Sequence, residues 1–139
     1  MTDTPGTSVD RSEQLLRLTR DLLDSIDQRD WSTYQQLCDE TLTAFEPEAA
    51  GHLVEGMPFH EFYLAPGTDG LSRQSTISSP HVRQMGDVAV LSYVRLLQAT
   101  NSEGLTSTHA MEETRVWQLQ DASWKHVHFH RSPAGSNNL

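Results

Sequence analysis

Apolar residues recur at three- and four-residue steps near the start of the chain. Leu15, Leu18, Leu22, Leu23 and Ile26 form one stripe, which predicts an amphipathic helix over residues 12–30. Asp10 followed by Glu13 has the form of a capping box at its start. Asp30 suits the cap of a second, short helix that carries Trp31, Tyr34, Leu37 and Cys38. Residues 42–45 read as a strand stopped by Pro47, because proline has no N–H to give a ladder. Pro58 fits a first helical turn and places Phe59, Phe62 and Tyr63 on a third short helix. After the loop 65–72 the period falls to two, and extended segments are predicted at 74–79, 81–85, 88–100, 105–120 and 123–131. Gly86-Asp87, residues 101–104 and Asp121-Ala122 between them suit hairpin turns. Helices first and a meander of strands afterwards imply an α+β domain, with helices packed on one face of a curved antiparallel sheet.

The segment 88–98 (VAVLSYVRLLQ) departs from simple alternation. One parity holds Val88, Val90, Val94 and Leu96, and the other holds Leu91, Tyr93 and Leu97 with Arg95. A sheet covered on one side alternates apolar with polar, whereas this strand is apolar on both faces. Three short helices cover one side of a sheet, so a second copy of the chain is the economical cover for the other. The alternative is a central strand of a closed or strongly curved single subunit. The self-association reading makes Val88, Val90, Val94, Leu96 and Val116 the expected interface.

The chain has 139 residues, a length that suits one domain, expected over 11–132 with small, polar tails at 1–10 and 133–139. Ten Lys and Arg against 19 Asp and Glu give a net charge of −9, which argues against sequence-independent binding to nucleic acid or an anionic membrane. No apolar run approaches a membrane span and the first residues lack the form of a secretory signal, so a cytoplasmic location is expected. The single Cys38 excludes an internal disulfide and a multi-thiolate metal site.

Several residues invite chemistry. His126, His128 and His130 alternate on 124–131 (WKHVHFHR), so an unbroken strand would point all three to one face, with successive Cα atoms about 6.6–6.8 Å apart. Two such imidazoles could share a metal ion. A ladder of partly buried, hydrogen-bonded histidines is favoured instead, and no metal or other cofactor is expected. Arg95 and Arg115 lie mid-strand, where a guanidinium needs an anionic partner because its desolvation is worth several kcal/mol. Either Glu112, Glu113, Glu46 or Glu48 supplies it, or the two arginines line a pocket that captures a small carboxylate or phosphate. Glu46 and Glu48 flank Pro47 and read more readily as a charged turn than as a hydrolase pair, and His60 more readily as a helix-surface residue than as a base in a cavity mouth. No nucleotide-binding loop or kinase catalytic motif occurs, so the chain is not expected to phosphorylate anything.

Taken together, 42–49 (LTAFEPEA), 53–57 (LVEGM), Phe59-His60 with Phe62-Tyr63, Pro80-His81-Val82, Gly86-Asp87, Tyr93 with Arg95, 112–117 (EETRVW) and 128–132 (HFHRS) resemble the association, or hub, domain of calcium/calmodulin-dependent protein kinase II. The resemblance runs from about Leu15 to Ser132. It implies a cone-like α+β fold of the nuclear transport factor 2 and ketosteroid isomerase type, with a long N-terminal helix in the mouth of the sheet. It also implies homo-oligomers in which dimers form two stacked rings, and a deep basic pocket. Arg95, Arg115, Tyr63 and His60 match pocket positions, with Glu113 as a neighbour. Two departures stand out: the loop 64–74 is shorter than in the animal members and does not match them, and His126 has no clear counterpart. No kinase or regulatory segment precedes the matched region, so a stand-alone hub-like protein, such as a bacterial one, or an excised domain is expected. The expectation is therefore a non-enzymatic assembly domain. The rival is a small cavity enzyme of the same fold acting on a carboxylate-bearing metabolite, with Arg95 and Arg115 holding it and His60, His128 or Glu46 in acid–base roles.

Overall fold

The computed structural model describes residues 10–65 and 69–135. Helix α1 (Ser12–Asp27) follows from the apolar stripe and buries Leu15, Leu22 and Leu23. The capping box does not form: Arg11 stands at the cap, and Asp10 Oδ1 accepts the Ser12 N–H at 2.9 Å. Helix α2 (Trp31–Leu37) is capped as expected, with the Asp30 carboxylate accepting from Thr33 N–H. It ends one residue early. Cys38 is extended and opens β1 (Cys38–Phe45), because it pairs with His126, a contact made 88 residues away that local pattern cannot register. A 3-10 turn (Pro47–Ala49), the two-residue strand β2 (Val54–Glu55) and helix α3 (Pro58–Leu64), with Pro58 in its first turn, complete the helical half.

Four long strands follow: β3 (Ser72–Met85), β4 (Val88–Thr100), β5 (Thr106–Gln120) and β6 (Ser123–Pro133). The segments expected at 74–79 and 81–85 are one strand with a register shift between Ser78 and His81. Ser79 takes a positive φ of 53° there, and Pro80 is tolerated because β3 lies at the sheet edge. The β5–β6 turn places both Asp121 and Ala122 at positive φ, the backbone a two-residue hairpin needs.

The six strands form one curved, unclosed sheet in the order β2-β1-β6-β5-β4-β3, antiparallel throughout except for β1 beside β6. α1 and the short helices pack on its concave side. Trp117 on β5 donates from Nε1 to Thr19 Oγ1 at 3.1 Å, which ties α1 to the sheet, and Ala89, Leu91, Tyr93 and Phe129 join the same core. The opposite parity of β4 and β5 carries Val88, Val90, Val94, Leu96 and Val116. All five are half-buried, and they lie outside the core cluster and are not packed against it. The sheet's own neighbouring side chains shield them, with no second layer among the described residues.

The histidine alternation is corrected by the structure. The β5–β6 register steps from Trp117↔His126 to Val116↔His128, so Val127 is an extra residue in a bulge. The bulge turns His126 into the core while His128 and His130 face outward, where His128 Nδ1 lies 2.7 Å from Thr43 Oγ1. The three rings do not share a face. Of the expected domain, 11–132, all but residues 66–68 are described, and the expected tails at 1–10 and 133–139 lie largely outside the described residues. No helix among the described residues is long and apolar enough to cross a membrane.

Candidate functional site

Arg95 and Arg115 point inward because they share the parity of Leu91 and Tyr93 on β4 and of Trp117 on β5. They are 4% and 1% exposed, so each charge must be met inside the protein. Glu113, 2% exposed, stands between them and accepts from Arg115 Nη2 at 3.0 Å and from Arg95 Nη1 at 3.3 Å. Arg95 also donates to Asp27 Oδ1 at the end of α1 (2.7 Å) and to Ser75 Oγ on β3 (2.8 Å). The Tyr93 hydroxyl donates to Glu113 at 2.6 Å and accepts from Arg115 Nε at 2.7 Å. The Arg115 guanidinium lies 4.5 Å over the Phe129 ring, a cation–π contact in a desolvated setting.

Electrostatics follow from this packing. Burial alone would raise the Glu113 pKa, but Arg115 and Arg95 outweigh it and hold the carboxyl below its usual value. Burial, reinforced by Arg115, pushes His126 well below the ordinary histidine range, so its ring is a neutral neighbour of Arg115 Nη1 and Cys38 Sγ. Burial drives the Cys38 thiol up to about 12, which removes it as a nucleophile.

These groups form the floor of a cavity of about 180 Å³. His60 and Glu46 form one wall: His60 Nε2 lies 3.0 Å from Glu46 Oε2, and both side chains are almost wholly buried. His60 is thus no helix-surface residue; α3 turns it inward between Tyr34, Phe59 and Phe129. The two glutamates flanking Pro47 also separate, for Glu46 enters the cavity wall while Glu48 pairs with Arg131. Tyr63, 44% exposed, stands at the rim. Residues 66–68 of the adjoining loop lie outside the described set.

Arg95, Arg115, His60, Tyr63 and Glu46 therefore line one cavity, with Glu113 directly behind the arginines. His128 does not join them, because the bulge has placed it on the other face of the sheet; an acid–base role for it in this cavity is excluded. The choice between an internal partner and a basic pocket also resolves in an unexpected way. Both arginines line the cavity, yet Glu113 and Asp27 already answer their charge, so the site offers directional donors and little net positive field. Asp27, Tyr34 and Arg131 line the cavity too and were not singled out from sequence. A signal for Asp27 existed: it follows Leu23 by four positions on the buried stripe of α1, where a carboxylate demands a buried cation.

Among the described residues, three buried polar side-chain atoms have no hydrogen-bond partner: Asp27 Oδ2, His60 Nδ1 and Trp124 Nε1. Two of them belong to cavity residues. The cavity thus gathers buried charged and polar groups, the two arginines and the Glu46–His60 pair, beneath a rim that carries Tyr63.

The family model described as the calcium/calmodulin-dependent protein kinase II association domain matches residues 11–135. The chain belongs to that family. The calcium/calmodulin-dependent protein kinase type II alpha chain of Drosophila melanogaster is 44% identical over 125 residues, which are 88% of this chain and 24% of that one. This chain therefore spans about a quarter of the length of that relative. The hub homology domain of Chlamydomonas reinhardtii superposes with a TM-score of 0.83 at 41% identity, covering 91% of this chain and 100% of that one. An NTF2-like protein from Cytophaga hutchinsonii shares the fold, with a TM-score of 0.74 at 19% identity over 90% of this chain and 99% of its own. The fold is thus the cone-like nuclear transport factor 2 type, and membership makes this an oligomerisation domain. In this association domain the outer face of β4 and β5, which no helix among the described residues covers, and the cavity lie on opposite sides of the same two strands.

Proposed function

We propose that this association domain is a scaffold whose subunits pair through the outer face of β4 and β5, that the pairs close into stacked rings, and that its cavity holds a small carboxylate or phosphate. The observation that carries the assembly is the apolar row Val88, Val90, Val94 and Leu96, with Val116 beside Val90, which has no covering layer among the described residues on a strand whose other face is already core. A second copy presenting the same row would complete a self-complementary, apolar-centred interface. Spare guanidinium N–H bonds support the anion reading: Arg95 lines the cavity, and Ser75, Glu113 and Asp27 use three of its five N–H bonds. Size-exclusion chromatography with light scattering tests the assembly. A mass of many subunits at micromolar concentration is expected, and a monomer there overturns it.

A further inference from the structure

We infer that the pairing face is a pH switch: uptake of protons by His128 and His130, with His81 in the same cross-strand row as His130, separates the paired subunits. The inference rests on the reading that copies pair through the outer face of β4 and β5. The sheet register places all three imidazoles on that face. One row runs His81, Ser92, Thr114, His130 and Phe45, and the next runs Arg83, Val90, Val116, His128 and Thr43. His128 thus stands directly beside Val116 of the expected interface. A stable contact takes roughly 20–30 residues from each partner. Strands of 13 and 15 residues offer every second position to one face, so β4 and β5 cannot supply that number and the flanking β3 and β6 are drawn in.

As neutral rings the imidazoles suit such a contact. The Phe45 ring packs against two of them, with centroids 6.2 Å from His128 and 5.5 Å from His130, and His128 Nδ1 lies 2.7 Å from Thr43 Oγ1. His128 is half-buried in the single subunit, and that burial holds it below the ordinary histidine range; a covering partner pushes it further the same way. A proton then leaves an unpaired cation inside the contact. No carboxylate stands directly opposite any of the three. Glu112 on β5 faces Val94 and Ser132 one step along the sheet, Glu55 on β2 lies beyond Thr43, and Asp39 on β1 is tied to Gln120 at 2.8 Å. The cations nearby add to the charge, with Arg83 of β3 in the His128 row and Lys125 of β6 held by the Gln36 carbonyl at 2.6 Å. Two-fold pairing counts each histidine twice. One titrating imidazole per subunit therefore weakens association by up to about 100-fold per pH unit once the free subunit takes up its proton.

The test is light scattering of the full chain over a concentration series at pH 7.5 and 5.5, with far-ultraviolet circular dichroism at both. Association weaker by about tenfold or more at pH 5.5 is expected, with an unchanged spectrum. The double variant His128→Gln, His130→Gln should keep its mass at both pH values. A wild-type mass that does not change with pH overturns the switch and leaves the pairing standing, as does an equal fall in the double variant. A wild type that is monomeric at pH 7.5 removes pairing and switch together. Should the double variant fail to assemble at pH 7.5, or the spectrum change at pH 5.5, dilution calorimetry of the wild type near pH 6 in two buffers of different ionisation enthalpy decides. Uptake of about one proton or more per subunit on dissociation is expected, and no uptake overturns the inference.

Discussion

Replacing Glu113 with Gln keeps the shape of the side chain and removes the charge that holds two buried guanidinia. In the native protein its two oxygens accept from Arg115 at 3.0 Å, Arg95 at 3.3 Å and Tyr93 at 2.6 Å. The amide supplies one acceptor oxygen and turns an NH2 toward donors. Arg95 retains Asp27, whereas Arg115 is left without a carboxylate partner among the described residues, keeping Tyr93 Oη, His126 and the Phe129 ring. Breaking a buried pair by removing one partner is destabilising by about 3–5 kcal/mol. With a urea m-value of about 2 kcal/mol/M, that is a fall in midpoint of about 1.5–2.5 M. The assay is urea unfolding at fixed subunit concentration, because assembly makes apparent stability concentration-dependent. Tyr93→Phe removes a bond on each side of the same carboxylate–guanidinium pair, so the double variant should lose less than the sum of the singles, by about 0.5–3 kcal/mol. A loss under about 1 kcal/mol for Glu113→Gln, or strict additivity with Tyr93→Phe, would refute the network as described.

Two further outcomes follow. Burial and Arg115 hold His126 well below the ordinary histidine pKa of 6.5, so below that pH the unfolded chain binds a proton that the native chain does not. Its contribution is complete above pH 6.5 and is lost as pH falls below that value, by up to about 1.4 kcal/mol per pH unit; unfolding free energies from pH 7.5 down to 5 should show this slope, and His126→Phe should flatten it. On the outer face, Val94→Glu places a carboxylate opposite Glu112 in the cross-strand register, within the expected interface; light scattering should report a smaller species than wild type, with an unchanged far-ultraviolet circular dichroism spectrum, and an unchanged mass would remove this face from the contact.

The parts of this fold that were legible in the sequence are those with a local cause. The α1 stripe, the Asp30 cap, Pro58 in the first turn of α3 and the three hairpin turns each arise from residues a few positions apart, and each is present. The parts that were not legible depend on partners far along the chain. Cys38 belongs to β1 only because β6 passes beside it, and the parallel β1–β6 pairing has no local signature at all. The bulge at Val127 reversed the expected side of His126, since one inserted residue inverts a period of two. At the site, the inward direction of Arg95 and Arg115 could be read from parity, and Glu113 was among their expected partners. The depth of His60 could not be read, because a seven-residue helix shows its buried side only once the sheet behind it is known.

The ionic floor of the cavity is not what makes the fold stable. Buried ion pairs exchanged for well-packed apolar residues of similar volume are commonly neutral or stabilising by about 1–4 kcal/mol. Leu and Met in place of Arg95, Glu113 and Arg115 would therefore serve a core made of Leu15, Leu22, Leu91 and Trp117 at least as well. What such a core would lack is a set of fixed donors. Ser75, Tyr93, Glu113, Asp27 and His126 hold each guanidinium at three points, so the N–H bonds left over point in set directions and are not free to turn toward other protein acceptors. Preorganised donors of that kind gain most when a ligand arrives, because little ordering remains to be done.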